Sequence, residues 1–137
     1  LQDAPGAWRR LLGDLAARAP ASLQGTLTTF SLEPFLLHAE CASVEVAQRI
    51  LAAARECGFR ESGVSLGRRR VLVHVRTTAL RLDAPLAVDG RPLVTQDYFE
   101  VLVGLANARL DENHRRVDRF WAQLRSALAG APGEEEG

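Results

Sequence analysis

A chain of 137 residues, 47% apolar and 25% charged, is long enough to bury a real hydrophobic core and is expected to form one domain. Glycine and proline, at 11 and 6 residues, are too few for a disordered, collagen-like or low-complexity chain. Seventeen basic side chains, every one of them Arg, balance seventeen acidic ones, so no whole-chain field steers it onto nucleic acid.

The amino-terminal stretch repeats apolar residues at helical spacing, with Trp8, Leu11, Leu12, Leu15 and Ala16 separated by Arg9, Arg10 and Asp14. This helix is expected to stop near Ala19-Pro20, because proline restricts the residue before it. Ser22 to Gly25 reads as a loop. From Thr26 to Cys41 the composition turns to β, and Pro34 inside that run predicts an edge position, a bulge or a bend. A helix follows, with Ser43 as N-cap, Glu45 in the first turn, and an apolar stripe of Ala47, Ile50, Leu51 and Ala54. Gly58 sits where a left-handed residue closes such a helix.

Gly63 to Leu66 and Arg70 to Thr78 read as two strands joined around Gly67. In the second, Val71, Val73 and Val75 point one way, and Leu72, His74 and Arg76 the other. Leu82 to Val88 and Arg91 to Val94 flank Asp89-Gly90, a two-residue hairpin signal. A long helix then begins near Thr95, with Asp97 in its first turn. Its seam runs Phe99, Val103, Ala106, Leu110, Asn113, Val117, Phe120, Leu124, Ala127, alternating steps of four and three over about four heptads. Such a seam packs either on the chain's own sheet or on a partner helix. Asn113 interrupts it; a buried Asn needs partners, either within the fold or on a substrate. The domain is therefore expected over residues 1–129, with 130–137 as an acidic, disordered tail.

Charge is segregated even though it sums to zero. Residues 60 to 81 hold six Arg against the single acid Glu61. Arg68, Arg69 and Arg70 fall in a turn, where guanidinium groups either reach phosphate oxygens bidentately or form a solvated hairpin tip. His38 lies close behind Glu33-Pro34, so a His and a carboxylate near a bent strand could act as a general base pair; a satisfied strand histidine is the other reading. The turn Arg60-Glu61-Ser62-Gly63 is a candidate for close ligand contact, because Gly admits the backbone. Three His and two Cys never take C-x-x-C or H-x-x-x-H spacing, so no structural metal is expected. Two Cys make no disulfide framework and point to a reducing compartment, and no apolar run approaches the roughly 20 residues of a membrane span. No G-x-G-x-x-G, P-loop or G-x-S-x-G occurs. With Leu1 first and no Met, the chain is expected to be a fragment.

Three blocks in order carry a resemblance. They are Phe30-Ser-Leu-Glu33-Pro34-Phe35-Leu-Leu-His38, then Gly58-Phe59-Arg60-Glu61-Ser62-Gly63-Val64, then Arg81-Leu-Asp-Ala-Pro85-Leu86 with Leu93-Val94-Thr95, Tyr98, Leu105-Ala106-Asn107, Glu112-Asn113 and Arg119-Phe120. Over roughly residues 26 to 125 the chain resembles the tRNA wybutosine-synthesizing protein 3 family of S-adenosylmethionine-dependent methyltransferases. The resemblance implies methyl transfer to the N4 ring nitrogen of a tricyclic guanosine derivative beside the anticodon of phenylalanine tRNA, in the cytoplasm. It implies an α+β fold outside the Rossmann class: a curved, barrel-like mixed sheet with helices packed outside, and a long carboxy-terminal helix. Under that reading Glu33 and His38 are expected to serve catalysis, Ser62 and Gly63 the cofactor, and Arg68, Arg69, Arg70 and Arg76 the tRNA backbone, with no metal and no membrane. The family's Ser-x-Ser-Gly-Arg motif has no counterpart here beyond Ser62-Gly63, so an amino-terminal part is expected to be missing. A catalytically silent tRNA-binding module and a helix-mediated interaction module are the alternatives.

Overall fold

Pro34 divides what the sequence presents as one β run. In the computed structural model, which describes residues 3–18 and 20–129, the strands on its two sides join different sheets. The elements in chain order are α1 (Ala4–Ala17), α2 (Pro20–Leu23), β1 (Leu27–Leu32), β2 (Leu36–Cys41), α3 (Val44–Glu56), β3 (Gly63–Leu66), β4 (Val71–Arg76), β5 (Leu82–Val88), β6 (Arg91–Pro92) and α4 (Gln96–Ala129). One sheet has the order β1-β5-β6 and the other β2-β4-β3, and every strand pair is antiparallel. The expected single curved, barrel-like mixed sheet is thus corrected: among the described residues no closed barrel forms. The acidic tail expected at 130–137 lies outside the described residues, as does Ala19.

The span expected as one domain holds two compact units. The first takes residues up to Glu33 together with Arg81–Asp111, and the second takes Pro34–Leu80 together with residues from Glu112 on. The first unit packs α1 and the first half of α4 on its sheet. Trp8, Ala84, Leu86, Phe99, Leu102 and Val103 are buried there, with Trp8 tilted against Phe99 at 5.3 Å between ring centroids and Phe30 edge-on to Phe99 at 6.1 Å. Its β1–β5 ladder shifts register where Thr28 faces Ala87 and Thr29 faces Pro85, leaving Leu86 as the extra residue. A proline without an N–H belongs at such an irregularity. Asp89 and Gly90 both have positive φ, 52° and 78°, as the expected tight hairpin requires. The predicted loop at 22–25 is in part the short helical turn α2, opened by Pro20, whose fixed φ suits a first helical position.

The second unit is a two-layer arrangement. Val73 and Val75 of β4 are fully buried under α3, where Ala47, Ile50 and Ala54 of the predicted stripe are buried together with Ala53, and Leu51 is half-buried at the edge. Phe35, Phe59 and Phe120 close this core with centroid separations of 5.6, 5.8 and 6.4 Å. Ser43 caps α3 by accepting from the Val46 N–H at 3.2 Å, and Gly58 takes φ +93° just beyond its end. The heptad seam of α4 is buried or half-buried at every position from Phe99 to Ala127, its first half in one unit's core and its second in the other's. The seam thus packs on the chain's own cores. Among the described residues no helix is long and apolar enough to cross a membrane.

Candidate active site

The segment after α3 builds a charged concavity in the second unit. A cavity of about 380 Å³ is lined by Glu56, Cys57, Gly58, Arg60, Glu61, Thr77, Ala79, Glu112, Arg116 and Arg119. That volume falls within the ~300–1,000 Å³ usual for small-molecule sites. Its walls come from three separate stretches: the C-terminal end of α3, the segment following β4, and one face of α4.

Glu112 organises the α4 wall. Its carboxylate accepts from Arg115 Nε at 3.0 Å and from Arg116 Nε at 3.0 Å, with Arg119 Nη2 at 3.6 Å. These are the i+3, i+4 and i+7 neighbours on one helical face. The Arg116 and Arg115 hydrogen bonds hold the Glu112 carboxyl below the usual carboxylate range. Arg116 also donates through Nη1 to the Gly58 carbonyl at 3.0 Å, which fastens α4 to the end of α3. A β-carbon on Gly58 would stand 3.1 Å from that guanidinium, so glycine serves both the positive φ and the close approach. Glu61 accepts from the Thr78 N–H and the Thr78 hydroxyl, both at 3.0 Å, and the backbone donor is the main cause of its lowered pKa. Burial pushes the Cys57 thiol up despite nearby Arg119, so it stays neutral. Among the described residues Arg60 has no ion-pair partner. The cavity thus offers fixed groups of both signs together with one uncommitted guanidinium.

The residues expected from sequence are distributed more widely. Glu33 ends the first unit's β1 side, exposed, with Arg81 Nη2 at 3.8 Å. His38 lies in the second unit, on the face of β2 turned away from the core, edge-on to His74 at 4.4 Å. Among the described residues Glu33 is paired with the Arg81 guanidinium, and it belongs to the first unit while His38 belongs to the second. Ser62 is buried, and its hydroxyl accepts from the Arg76 N–H at 3.0 Å and donates to the Arg76 carbonyl at 3.4 Å. It works as an extra rung beside the ladder. Gly63 stays open, with nothing within 4 Å of an added β-carbon. Arg68, Arg69 and Arg70 occupy the β3–β4 turn, closed by the Gly67 N–H donating to the Arg70 carbonyl at 2.9 Å, and Arg70 stands 3.9 Å from Glu40. Arg76 shares the open sheet face with His38 and His74. Asn113 is buried and accepts from the Phe35 N–H at 2.8 Å, a partner within the fold.

Sequence reasoning missed the cavity's α4 wall. The signal was Glu112 with Arg115, Arg116 and Arg119 at one-face spacing, which reads equally well as a solvated helix. Among the described residues no group of three or more His, Cys, Asp or Glu could hold a metal ion.

The family model described as Methyltransferase TYW3 matches residues 8–126. The tRNA wybutosine-synthesizing protein 3 homolog of Danio rerio is 40% identical over 109 residues, covering 79% of this chain and 42% of that protein. The Homo sapiens homolog is 38% identical over 101 residues, covering 73% and 39%. The chain therefore spans about two fifths of the curated relatives it matches. Among solved structures, the PH1069 protein from Pyrococcus horikoshii superposes with a TM-score of 0.73 at 21% identity, over 85% of this chain and 57% of that one. A hypothetical protein from Aeropyrum pernix gives a TM-score of 0.67 at 26% identity, over 75% and 63%. With the family model matching most of its length, the chain belongs to the TYW3 methyltransferase family.

Proposed function

We propose that this chain carries part of the site of a tRNA methyltransferase of wybutosine synthesis. The methyl group passes from S-adenosylmethionine to the N4 ring nitrogen of the tricyclic guanosine beside the anticodon of phenylalanine tRNA, in the cytoplasm. The observation that supports this reading best is the two-signed cavity beside the Gly58–Gly63 segment.

The donor set fits the cofactor. A methionyl end carries an ammonium and a carboxylate, and its sulfonium is a further cation; the cavity presents Glu56 and Glu61 for the cations and Arg60 and Arg119 for the carboxylate. Bound there, the cofactor supplies an electrophilic methyl carbon, and the protein's part is orientation and electrostatics. Arg116 and Glu112 keep the wall rigid, which matters because displacement at carbon depends on alignment with the acceptor nitrogen. Cys57, held as a neutral thiol, does not compete for the methyl group. The open backbone at Gly63 leaves room for close approach by either substrate. His38, with an exposed imidazole, is the proposed acceptor of the nitrogen's proton, with Glu33 the proposed alternative acceptor. The tRNA backbone is assigned to Arg68, Arg69, Arg70 and Arg76, of which, among the described residues, only Arg70 pairs with an acid.

Labelled methyl transfer to phenylalanine tRNA carrying the demethylated precursor tests the reading, with this chain and the full-length zebrafish relative side by side. Incorporation confined to that tRNA is expected. No incorporation by this chain while the relative is active would limit the chain to a binding role. Incorporation into unmodified tRNA by either would contradict the substrate assignment.

A further inference from the structure

The second unit's sheet leaves one face uncovered. Its core face carries Leu37, Ala39, Val73 and Val75 against α3; the other face carries Leu36, His38 and Glu40 from β2, Leu72, His74 and Arg76 from β4, and Ser65 from β3. His38 and His74 are directly opposed in the ladder and meet edge-to-face at 4.4 Å, and Ser65 Oγ fixes the His74 ring by a 2.9 Å hydrogen bond to Nε2. Leu36, next to this pair, is 58% exposed. Two rings, one of them held in orientation, therefore stand at the centre of an open antiparallel sheet with aliphatic groups beside them.

The surrounding charge is one-sided. Arg76 lies at one end of the face and Arg68, Arg69 and Arg70 in the turn at the other; among the described residues of this face the one acid is Glu40, which stands 3.9 Å from Arg70. Rings on a sheet flanked by guanidinium groups match the needs of single-stranded nucleic acid, whose bases stack on aromatic faces while its phosphates pair with Arg. An acidic peptide would use the charges and leave the rings idle.

We propose that the open face of β2-β4-β3 is a binding platform for single-stranded RNA, taking an unstacked base on the His38–His74 pair and its flanking phosphates on Arg76 and the Arg68–Arg70 turn. The inference rests on the tRNA reading and deepens it: an anticodon loop presents such unstacked bases. Thr77, the residue after Arg76, lines the charged cavity, so a nucleotide held on this face is one residue along the chain from the proposed cofactor wall.

The test is fluorescence-anisotropy titration of this chain with a labelled, unmodified single-stranded RNA of about seven nucleotides, the same sequence as a duplex, and a polyglutamate peptide. No cofactor and no turnover are involved, so the result stands apart from the methyl-transfer assay. Single strands are expected to bind about tenfold more tightly than the duplex or the peptide. His74→Ala and His38→Ala are each expected to lose about tenfold, in line with one stacked base, whereas His74→Phe keeps the affinity because stacking needs the ring and not its nitrogen. Arg76→Ala should reduce the slope of log affinity against log salt by about one. Melting temperatures serve as the folding control, and Arg49→Ala on α3 should leave binding unchanged. Equal affinity for duplex or peptide, binding indifferent to both His→Ala changes, or no RNA binding would each overturn the platform. Platform failure with intact methyl transfer leaves the enzymatic reading standing; a working platform with no transfer from the full-length relative does the reverse.

Discussion

Ser62 separates what a residue looks like in sequence from what it does in the fold. A Ser-Gly pair after a helix suggests ligand contact, yet the Ser62 hydroxyl is spent on both backbone groups of Arg76. Removing it leaves the part-buried N–H and carbonyl of Arg76 without this partner, at a cost of about 1 kcal/mol. Ser62→Ala should therefore lower the urea midpoint while the affinity for S-adenosylmethionine stays within about twofold. A large affinity loss at unchanged stability would return Ser62 to the cofactor site. Gly63 keeps its assignment on different grounds, because space is open where its side chain would be. The residue types and turns at these positions were legible from sequence. Their partners were not, since Arg76 is fourteen residues away and on another strand.

At the scale of elements, what followed from local chemistry was readable. Ser43 and Gly58 bound α3, Asp89-Gly90 makes the hairpin, and Thr95 caps α4 by accepting from the Tyr98 N–H at 3.2 Å. Each of these depends on a few neighbouring residues. The partition of the strands does not. β1 pairs with β5 and β2 with β4, and alternation along each strand is equally compatible with a single sheet. The cavity was illegible for the same reason, its walls being drawn from residues 56–61, 77–79 and 112–119. Asn113 ties α4 to the beginning of β2 through the Phe35 N–H, just past Pro34. Asn113→Ala should cost about 1–3 kcal/mol by orphaning that donor, measured by denaturant unfolding. Equal stability would mean that the backbone there finds another partner.

For the whole molecule, acid stability follows from three carboxylates spread over both units. Asp83 is held below its ordinary range by the Ser31 hydrogen bond and then by Arg81, Glu61 by the Thr78 backbone, and Glu112 by Arg116 and Arg115. A folded pKa below the unfolded value means that the folded state prefers the charged form. The contribution is present above the ordinary carboxylate pKa of about 4 and is lost as pH falls through the lower folded values. The melting temperature should be flat between about pH 6 and pH 8 and fall below about pH 4, and Glu112→Gln should fall less steeply over that acid range. An acid limb identical in Glu112→Gln would remove Glu112 from the balance. The same carboxylate anchors the α4 wall of the cavity, so stability and the proposed site share a group.

The charged cavity is the proposed place of the cofactor. Equilibrium dialysis of labelled S-adenosylmethionine against this chain, against Arg60→Ala and against Arg119→Ala, tests that directly and without turnover. Saturable binding at one site, weakened about tenfold or more by Arg60→Ala and by Arg119→Ala, is the predicted result, the magnitude being that of one charge-assisted pair. No saturable binding, or binding that neither substitution changes, would contradict it.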